Sequence, residues 1–274
     1  MTKKKIAILG CGNIGTAIAN GLVKSEIYKP TQLYLTRKSD EMLSKFSARG
    51  FNTSSDNLEA VKTAQIIIIA VTPQQLNALL EEIDLALVSD KHILLSVVTG
   101  VSIKQIKSKL TKKCPVVRIM PNTAIAIQES MTCISANEQD HNALEQAKAI
   151  FDQLGKTVVI HEELMVPATA LCASGIAFFL RAVRAASQGG IEIGFHAEDA
   201  LFMAAQTAKG AASLIIQNGA HPEGEVDKVT TPMGITISGL NQMEHAGFSS
   251  SMIKGLVTSA EKAKTLYSDN DKEN

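Results

Sequence analysis

From Lys5 to Ile160 the chain alternates between short β-branched runs and amphipathic segments, and this alternation limits the fold more than any other feature. Runs rich in Ile and Val predict buried strands, and apolar residues three or four positions apart predict helices. Strands that alternate with helices build a parallel sheet that helices cover on both faces. We therefore predict an α/β fold with a doubly wound sheet in this part of the chain.

The predicted strands are short and mostly apolar: Lys5 to Leu9, Leu33 to Thr36, Gln65 to Val71, His92 to Val98, Val116 to Ile119, Met131 to Ser135 and Thr157 to Ile160. The predicted helices between them cover 13–24, 39–49, 56–63, 74–83, 102–110 and 138–153. Asp56 and Glu59 have the spacing of a capping box at the start of the third helix.

After Ile160 the alternation ends, and the chain has helical spacing from Glu162 to Tyr267. We predict an N-terminal α/β domain over 1–161, an all-α C-terminal domain over 162–268 and a disordered polar tail over 269–274. The helical half is rich in Ala, Gly and Ser, which let helices pack closely. Its long apolar helices would otherwise expose large apolar patches, so we expect a dimer or a higher homo-oligomer. An ordinary helical core without a partner is the alternative.

The 27 basic and 27 acidic residues of this 274-residue chain cancel. This balance argues against a nucleic-acid partner or an acidic membrane surface. The four cysteines and six histidines are scattered, so neither a disulfide framework nor a metal site is predicted. The longest apolar run, Ile66 to Val71, is far shorter than the ~20 residues of a membrane span. We therefore expect a soluble, cytoplasmic protein.

The sequence GCGNIG at 10–15 matches GxGxxG, directly after the first predicted strand and at the start of a helix. This is the context in which the motif binds a dinucleotide. Gly10 is expected to make the tight turn, Gly12 to let the pyrophosphate approach the backbone, and Gly15 to allow close packing of helix on strand. We predict a Rossmann-like domain in which these loop residues contact the cofactor: Gly10, Gly12, Asn13, Ile14 and Gly15.

The end of the second strand indicates which nicotinamide cofactor binds. In NAD(H)-binding domains an acidic residue there binds the ribose 2′-hydroxyl. Here the chain reads YLTRKSD, with Arg37 and Lys38 in place of an acid. A guanidinium binds a phosphate through paired hydrogen bonds, so we predict that NADP(H) is preferred, with NAD(H) as the alternative. In another interpretation Arg37 and Lys38 form a solvated surface turn.

The run VTTPMGITISGLNQMEHAGF at 229–248 predicts a site for a small anion. A Thr-Thr-Pro-x-Gly loop leads into helical spacing, where Thr230 or Thr231 is expected to cap the first turn and Pro232 to begin the helix. The free N–H groups and the positive end of the helix dipole suit a carboxylate. Thr236, one turn into the helix, adds a hydroxyl that both donates and accepts hydrogen bonds.

Three ordered segments resemble the pyrroline-5-carboxylate reductase family, and the resemblance covers nearly the whole chain. GCGNIG is similar to the family's N-terminal fingerprint, RIMPNTAIAIQESMT at 118–132 to its RxMPNTP…GxxMT segment, and VTTPMGITISGL to its VTSPGGTTxxGL signature. The resemblance implies an NADPH-dependent oxidoreductase that reduces the C=N bond of 1-pyrroline-5-carboxylate to L-proline, the final step of proline biosynthesis. It also implies a helical dimerisation domain, with the active site between this domain and the cofactor domain.

The resemblance also implies roles for individual residues. Thr236 would be the hydroxyl beside the imine nitrogen of the substrate. The substrate would be bound by the loop residues Thr231, Met233, Gly234 and Ile235. The cofactor would be lined by Asn57, Val71, Pro73, Val98, Thr99, Gly100 and Asn122. Without the family, Asn57 and Asn122 are interpreted as helix-cap or turn residues.

Several positions depart from the family pattern and leave other functions open. Met233 and Ile235 stand where the family has glycine and a smaller residue, Ile176 where it has proline, and Thr72 where it often has lysine. A methionine does not easily adopt the positive φ that glycine allows, so Met233 matters most. The alternatives are a related imine or keto-acid reductase with an altered pocket, and a non-catalytic NADP-binding regulator that resembles a reductase.

Overall fold

The structure, a computed structural model, describes residues 4–267. Contacts divide the chain into two units, which we name the sheet unit, Met1–Ser174 with Ser259–Asn274, and the helical unit, Gly175–Thr258. The boundary predicted between residues 161 and 162 falls inside the sheet unit as the contacts define it, and it stays a prediction. The tail predicted over 269–274 lies outside the described residues.

The sheet unit is built on one eight-stranded sheet with the order β3-β2-β1-β4-β5-β6-β7-β8. The strands are β1 Ile6–Leu9, β2 Leu33–Thr36, β3 Asn52–Ser54, β4 Ile66–Ile69, β5 Ile93–Ser96, β6 Val116–Met120, β7 Ser130–Ala136 and β8 Gly155–Val159. Neighbouring strands are parallel except β6 and β7, which are antiparallel. The order reverses between β1 and β4, which makes their junction the topological switch point of a doubly wound sheet. The predicted fold class is confirmed.

Helices cover both faces of this sheet. They are α1 Asn13–Lys24, α2 Asp40–Ser47, α3 Asn57–Thr63, α4 Pro73–Asp84, α5 Ile103–Ser108, α6 His141–Phe151 and α7 Met165–Ala168. Helices α1, α2 and α6 contribute to the apolar layer on one face, and α3, α4 and α5 to the layer on the other. Helix α7 continues into a π-helical turn, Thr169–Ser174.

The sheet unit has two large apolar layers, one on each face of the sheet. In β1, Ile6 and Ile8 belong to one layer and Ala7 and Leu9 to the other, because successive side chains in a strand point to opposite faces. All four residues of β4, the run IIII, are buried for the same reason. Burial of both faces explains why these strands have continuous apolar runs without alternating polar residues.

The predicted strands and helices are present, but several ends are wrong. The strands predicted to Val71 and to Val98 end at Ile69 and Ser96, because the residues beyond leave the sheet at its carboxyl edge. The helix predicted over 138–153 is limited to His141–Phe151, because its outer turns are 3-10 helix.

Two local features differ from the prediction. Strand β3 has the polar sequence NTS, which has no apolar run to indicate a strand, and it pairs with β2 at the sheet edge. The predicted capping box is half formed: Asp56 accepts hydrogen bonds from the N–H groups of Leu58 and Glu59. The Glu59 carboxylate instead accepts from Ser54 Oγ, and the same hydroxyl oxygen accepts from the Asp56 N–H, so the serine replaces glutamate as the partner.

The helical unit contains the remaining α-helices of the described residues. They are α8 Gly175–Glu192, α9 Ala197–Asn218, α10 Pro222–Lys228, α11 Ile235–His245 and α12 Phe248–Lys264, whose last turns belong to the sheet unit. Helices α8 and α9 approach closely at Gly190, where an added Cβ would lie 3.0 Å from the Ala200 Cβ. Few side chains of this unit are buried, and exposed apolar residues include Phe179, Leu180, Phe202 and Ile216.

One helical segment, Glu162–Glu192, is long and apolar enough by composition to cross a membrane. No uninterrupted apolar run in the sequence marks this segment, because small and polar residues interrupt it. A helix that packs against other protein has the same composition, so length and hydropathy alone do not assign this segment to a membrane.

Candidate functional site

A cleft of about 640 Å³ lies at the carboxyl edge of the sheet, at the switch point between β1 and β4. Ligands of doubly wound folds bind in this position. Its lining includes six of the residues predicted to bind cofactor, namely Gly10, Gly12, Arg37, Lys38, Asn57 and Val71. Residues from three separate predictions, the glycine loop, the end of β2 and the start of α3, therefore meet in one cavity.

The glycine loop has the geometry that the motif predicts. Gly10 has φ +91°, and a Cβ there would lie 2.6 Å from Val71 Cγ1. A Cβ at Gly15 would lie 2.8 Å from the Gly10 carbonyl oxygen, so this position requires a residue without a side chain. At Gly12 an added Cβ would meet no atom within 4 Å. The loop thus has an open face at Gly12, next to the start of α1.

The end of β2 places cationic groups beside the glycine loop. Arg37 Nη1 donates a hydrogen bond of 2.6 Å to the Cys11 carbonyl oxygen, which holds the guanidinium over the loop. The Cys11 N–H in turn donates to the Thr36 carbonyl oxygen at 2.9 Å. Arg37 and Lys38 both line the cleft, with Arg37 half-buried and Lys38 exposed, and their role at the cofactor stays a prediction. Two cations at this place are compatible with the additional phosphate of NADP(H).

Asn57 connects the end of β2 to α4. The Thr36 hydroxyl donates to Asn57 Oδ1 at 2.6 Å, and Asn57 Nδ2 donates to Glu82 Oε2 at 3.0 Å. Glu82 also lines the cleft, so the site contains a carboxylate after all. Glu82 is not among the predicted site residues, because the sequence pattern places an acid at the end of β2, whereas this carboxylate comes from the last turn of α4.

Other predicted cofactor residues lie outside the lining of this cleft. Asn13, Ile14 and Gly15 form the first turn of α1, and Pro73 is the first residue of α4. The Val98 side chain is buried in the apolar core. Gly100 has φ +79°, and an added Cβ there would lie 3.0 Å from the Ala263 carbonyl oxygen. Thr99 lies between these two positions in the turn that follows β5.

Asn122 acts as a cap in the sheet unit. Its Oδ1 accepts a hydrogen bond of 3.0 Å from the Ala124 N–H at the start of a 3-10 turn, and its Nδ2 donates to the Cys172 carbonyl oxygen at 3.1 Å. These contacts are those of a turn residue, as the sequence indicates when the family resemblance is left aside. Its role at the cofactor stays a prediction.

Residues 230–234 of the helical unit form a loop, named the TTPMG loop, whose capping of the next helix differs from the prediction. Helix α11 begins at Ile235 with Gly234 as its N-cap, so neither Thr230 nor Thr231 caps it, and Pro232 precedes the helix. The reason is a tight turn in which the Gly234 N–H donates to the Thr231 carbonyl oxygen at 2.9 Å. The Thr230 hydroxyl instead donates to the Val226 carbonyl oxygen in α10.

The turn brings the predicted substrate-binding residues to the start of α11. Met233 has φ +60°, the left-handed conformation that glycine adopts freely, and its side chain is fully exposed. Ile235 is also exposed, and Thr236 is half-buried in the first turn of the helix. The methionine has therefore kept the glycine-like backbone of the loop while adding a side chain to its surface.

Two family models match the chain. The model for pyrroline-5-carboxylate reductase dimerisation matches residues 162–266. The model for the NADP oxidoreductase, coenzyme F420-dependent, family matches residues 5–100. Together they cover the helical half and the part of the sheet unit that contains the glycine loop, β2 and α3.

Curated relatives extend over almost the whole chain. Pyrroline-5-carboxylate reductase 1 of Dictyostelium discoideum is 54% identical over 96% of this chain and 50% of its own length, so the chain spans half of that relative. Pyrroline-5-carboxylate reductase 2 of the same organism is 51% identical over 95% of this chain and 92% of its own length.

Solved structures have the same fold. Pyrroline carboxylate reductase of Plasmodium falciparum, crystallised with NADP bound, matches with a TM-score of 0.89 and 24% identity over 98% of this chain and 100% of that one. A pyrroline-5-carboxylate reductase from Coxiella burnetii matches with a TM-score of 0.86 and 27% identity over 97% of this chain and 100% of that one. The resemblance predicted from three sequence segments is confirmed, and the chain belongs to the pyrroline-5-carboxylate reductase family of oxidoreductases.

Proposed function

We propose that the protein reduces the C=N bond of 1-pyrroline-5-carboxylate to L-proline with NADPH, the final step of proline biosynthesis. The observation that carries this proposal is the cleft at the switch point, whose open glycine loop lies beside Arg37 and Lys38. In the same chain, the TTPMG loop precedes a helix start suited to a carboxylate. A cofactor site of this kind and an anion site are the two parts that reduction of a carboxylated imine requires.

The residues of the cleft fit NADP(H). Gly10, Gly12 and the start of α1 would hold the pyrophosphate, since nothing obstructs the backbone at Gly12. Arg37 and Lys38 would hold the 2′-phosphate, and Asn57 the adenosine ribose. The nicotinamide of the bound cofactor supplies the hydride. We propose that Asn13, Ile14, Gly15, Pro73, Val98, Thr99, Gly100 and Asn122 complete the cofactor site.

The start of α11 is the proposed carboxylate site. The first-turn N–H groups of a helix have no partner within the helix, and the helix dipole is positive at this end. The backbone N–H groups of Met233 and Ile235 would therefore hold the substrate carboxylate, and Thr231 and Gly234 would form the turn that positions them. This contact fixes the carboxylate end of the small ring. A second contact, from Thr236, would then set the position of the imine.

Thr236 is the proposed contact to the imine nitrogen. A cyclic imine accepts hydride readily once its nitrogen is protonated, because the product is then a neutral amine. A threonine hydroxyl is a weak acid, so the chain need not supply the proton from Thr236. The Thr236 hydroxyl would orient the imine nitrogen by a hydrogen bond. It would also pass a proton to or from this nitrogen.

The exposed apolar surface of the helical unit supports self-association. Phe179 and Phe202 are 63% and 72% exposed, which is unusual for phenylalanine in a unit without a partner. These residues lie in the region matched by the dimerisation family model. We propose that a second copy of the chain covers this surface, that the dimerisation domain is 162–268 and the cofactor domain 1–161, and that the enzyme works in the cytoplasm.

The proposal is tested by mixing purified protein with NADPH and freshly prepared 1-pyrroline-5-carboxylate and following the loss of reduced-cofactor absorbance. Rapid oxidation with proline as the product, and slower oxidation of NADH in a parallel reaction, is the expected result. Binding of NADPH without oxidation would instead indicate a non-catalytic regulator. Oxidation with other cyclic imines or keto acids, but not with this substrate, would indicate that Met233 has altered the pocket.

A further inference from the structure

Two cysteines that are distant in sequence meet in the sheet unit. Cys133 in β7 and Cys172 in the π-helical turn have their Sγ atoms 3.7 Å apart, although both thiols are free. Cys133 is only 3% exposed, whereas Cys172 is half-buried. The pair therefore joins a buried cysteine to one that is partly exposed.

The two sulfur atoms differ in their chemistry as well as in their exposure. The hydrogen bond from Cys133 lowers the pKa of the Cys172 thiol to about 7. Contact with Cys172, together with burial, raises the pKa of Cys133. A thiolate is the nucleophilic form of cysteine, so Cys172 is the reactive member and Cys133 the thiol available to attack it afterwards.

Backbone contacts hold the pair together. Asn122 Nδ2 donates to the Cys172 carbonyl oxygen at 3.1 Å, and the Asn122 N–H donates to Ser130 Oγ at 3.2 Å. Ser130 is the first residue of β7, the strand that contains Cys133. Asn122 thus links the π-helical turn to β7, which keeps the thiols in contact. Met120, Met165 and Ala168 form an apolar cluster with Cys133 around this position.

We propose that Cys133 and Cys172 form an oxidation site at which hydroperoxides produce an intramolecular disulfide. The Cys172 thiolate attacks a peroxide oxygen, the O–O bond breaks, and Cys172 becomes a sulfenic acid as the first water leaves. The Cys133 thiol then attacks the Cys172 sulfur, the S–O bond breaks, and the second water leaves. The two sulfurs lose two electrons in total, which reduce one hydrogen peroxide to two waters. A small dithiol reverses the reaction by exchange.

The other two cysteines provide the comparison. Burial raises the pKa of Cys11 to about 12 and that of Cys114 to about 11, so both stay protonated at neutral pH. Both side chains are also almost completely buried. Protonated, buried thiols react slowly with peroxide. We therefore expect peroxide to oxidise Cys133 and Cys172 faster than Cys11 and Cys114.

In the test, the purified chain is treated with hydrogen peroxide, the remaining thiols are alkylated and the peptides are mapped by mass spectrometry. The expected product has lost two hydrogens, contains a peptide crosslinked between Cys133 and Cys172, and leaves Cys11 and Cys114 alkylated after denaturation. Dithiothreitol should restore all four thiols. Crosslinks between other cysteines, or oxidation that stops at separate acids in the wild type, would overturn the proposal.

Serine variants separate the two roles. Cys133→Ser should leave Cys172 as a sulfenic acid that dimedone traps, and Cys172→Ser should react much more slowly. Cys114→Ser is the matched control and should form the same disulfide as the wild type. Equal rates for Cys172→Ser and the wild type would contradict the assignment of Cys172 as the reactive thiol. Peptide mapping of the wild type does not depend on the folding of any variant.

Discussion

The Thr36 hydroxyl donates a 2.6 Å hydrogen bond to Asn57 Oδ1, which ties the end of β2 to the start of α3. Thr36 Oγ1 also accepts from the Gly10 N–H at 3.3 Å, so the glycine loop belongs to the same network. The network ends at Glu82, whose carboxylate accepts a hydrogen bond from Asn57 Nδ2. Hydrogen bonds among the glycine loop, β2, α3 and α4 thus hold the adenosine end of the proposed cofactor site before any ligand binds, and Arg37 adds a positive charge.

Arg37→Ala should weaken the use of NADPH more than that of NADH. A charge-assisted hydrogen bond contributes about 1.5–3 kcal/mol, so we expect KM for NADPH to rise roughly tenfold or more. KM for NADH, which has no 2′-phosphate, should change much less. Steady-state kinetics with each cofactor measure both values. Arg49→Ala, which removes an arginine bonded to Asn20 outside the cleft lining, is the control. Equal losses with both cofactors would contradict the role of Arg37.

Thr236→Ala should slow turnover by about 10²-fold or less, because a positioned hydroxyl assists proton transfer but is not the source of the proton. Thr236→Ser should retain most of the activity. Ser238→Ala is the control, since Ser238 Oγ donates to the Gly234 carbonyl oxygen in the same helix. Single-turnover rates with saturating cofactor report the effect. Full activity in Thr236→Ala would remove Thr236 from the mechanism.

Met233→Gly should stabilise the loop. A residue with a Cβ at φ +60° is strained by about 1–2 kcal/mol, and the greater freedom of glycine in the unfolded chain offsets about 0.5–1 kcal/mol of the relief. We expect Tm to rise by about 1–3 °C. Met233→Ala removes the same side chain but keeps the strain, so it should not raise Tm. A thermal scan of the three proteins at one concentration compares them, and a lower Tm for the glycine variant would show that the methionine side chain contributes contacts.

His92 should make the sheet unit less stable in acid. Burial, with a smaller effect of Lys91, lowers the pKa of His92 below its ordinary 6.5. As pH falls, His92 therefore binds a proton in the unfolded chain before it does so in the folded chain. Neutral His92 contributes fully to stability above about pH 6.5, and this contribution is lost as pH falls through the lower folded-state pKa. His92→Asn keeps an acceptor for the Val88 N–H, which donates to His92 Nδ1, but does not titrate.

Urea unfolding at several pH values between 5 and 7 tests this effect. The free energy of unfolding of the wild type should fall with pH more steeply than that of His92→Asn. His245→Asn, a change on the exposed surface of α11, is the control and should follow the wild type. Identical slopes for the wild type and His92→Asn would show that His92 is not responsible.

The sheet unit was predictable because its signals are local. The IIII run of β4 and the glycine loop each occupy consecutive residues, so period and motif identify them. Strand β3 was missed because its three residues, Asn52–Ser54, are polar and depend on pairing with β2. The start of α11 was misplaced because the turn at Met233 is set by backbone conformation, which a methionine in the sequence does not indicate.

The site was predictable only in part, for a related reason. Arg37 and Asn57 follow a strand or begin a helix, so topology alone brings them to the same edge of the sheet. Glu82 reaches the cleft from the last turn of α4, and Cys172 reaches Cys133 from 39 residues away. Such contacts depend on how elements pack in three dimensions, and no spacing in a single sequence encodes them.

Isotope labelling shows whether NADPH transfers its hydride to the imine carbon of the substrate. The protein would be incubated with 1-pyrroline-5-carboxylate and NADPH that carries deuterium in the transferred position at nicotinamide C4, and the proline formed would be analysed by mass spectrometry and NMR. We expect proline with one deuterium at C5 and a cofactor that has lost the label. Proline without deuterium, or no proline from a protein that binds NADPH, would contradict it.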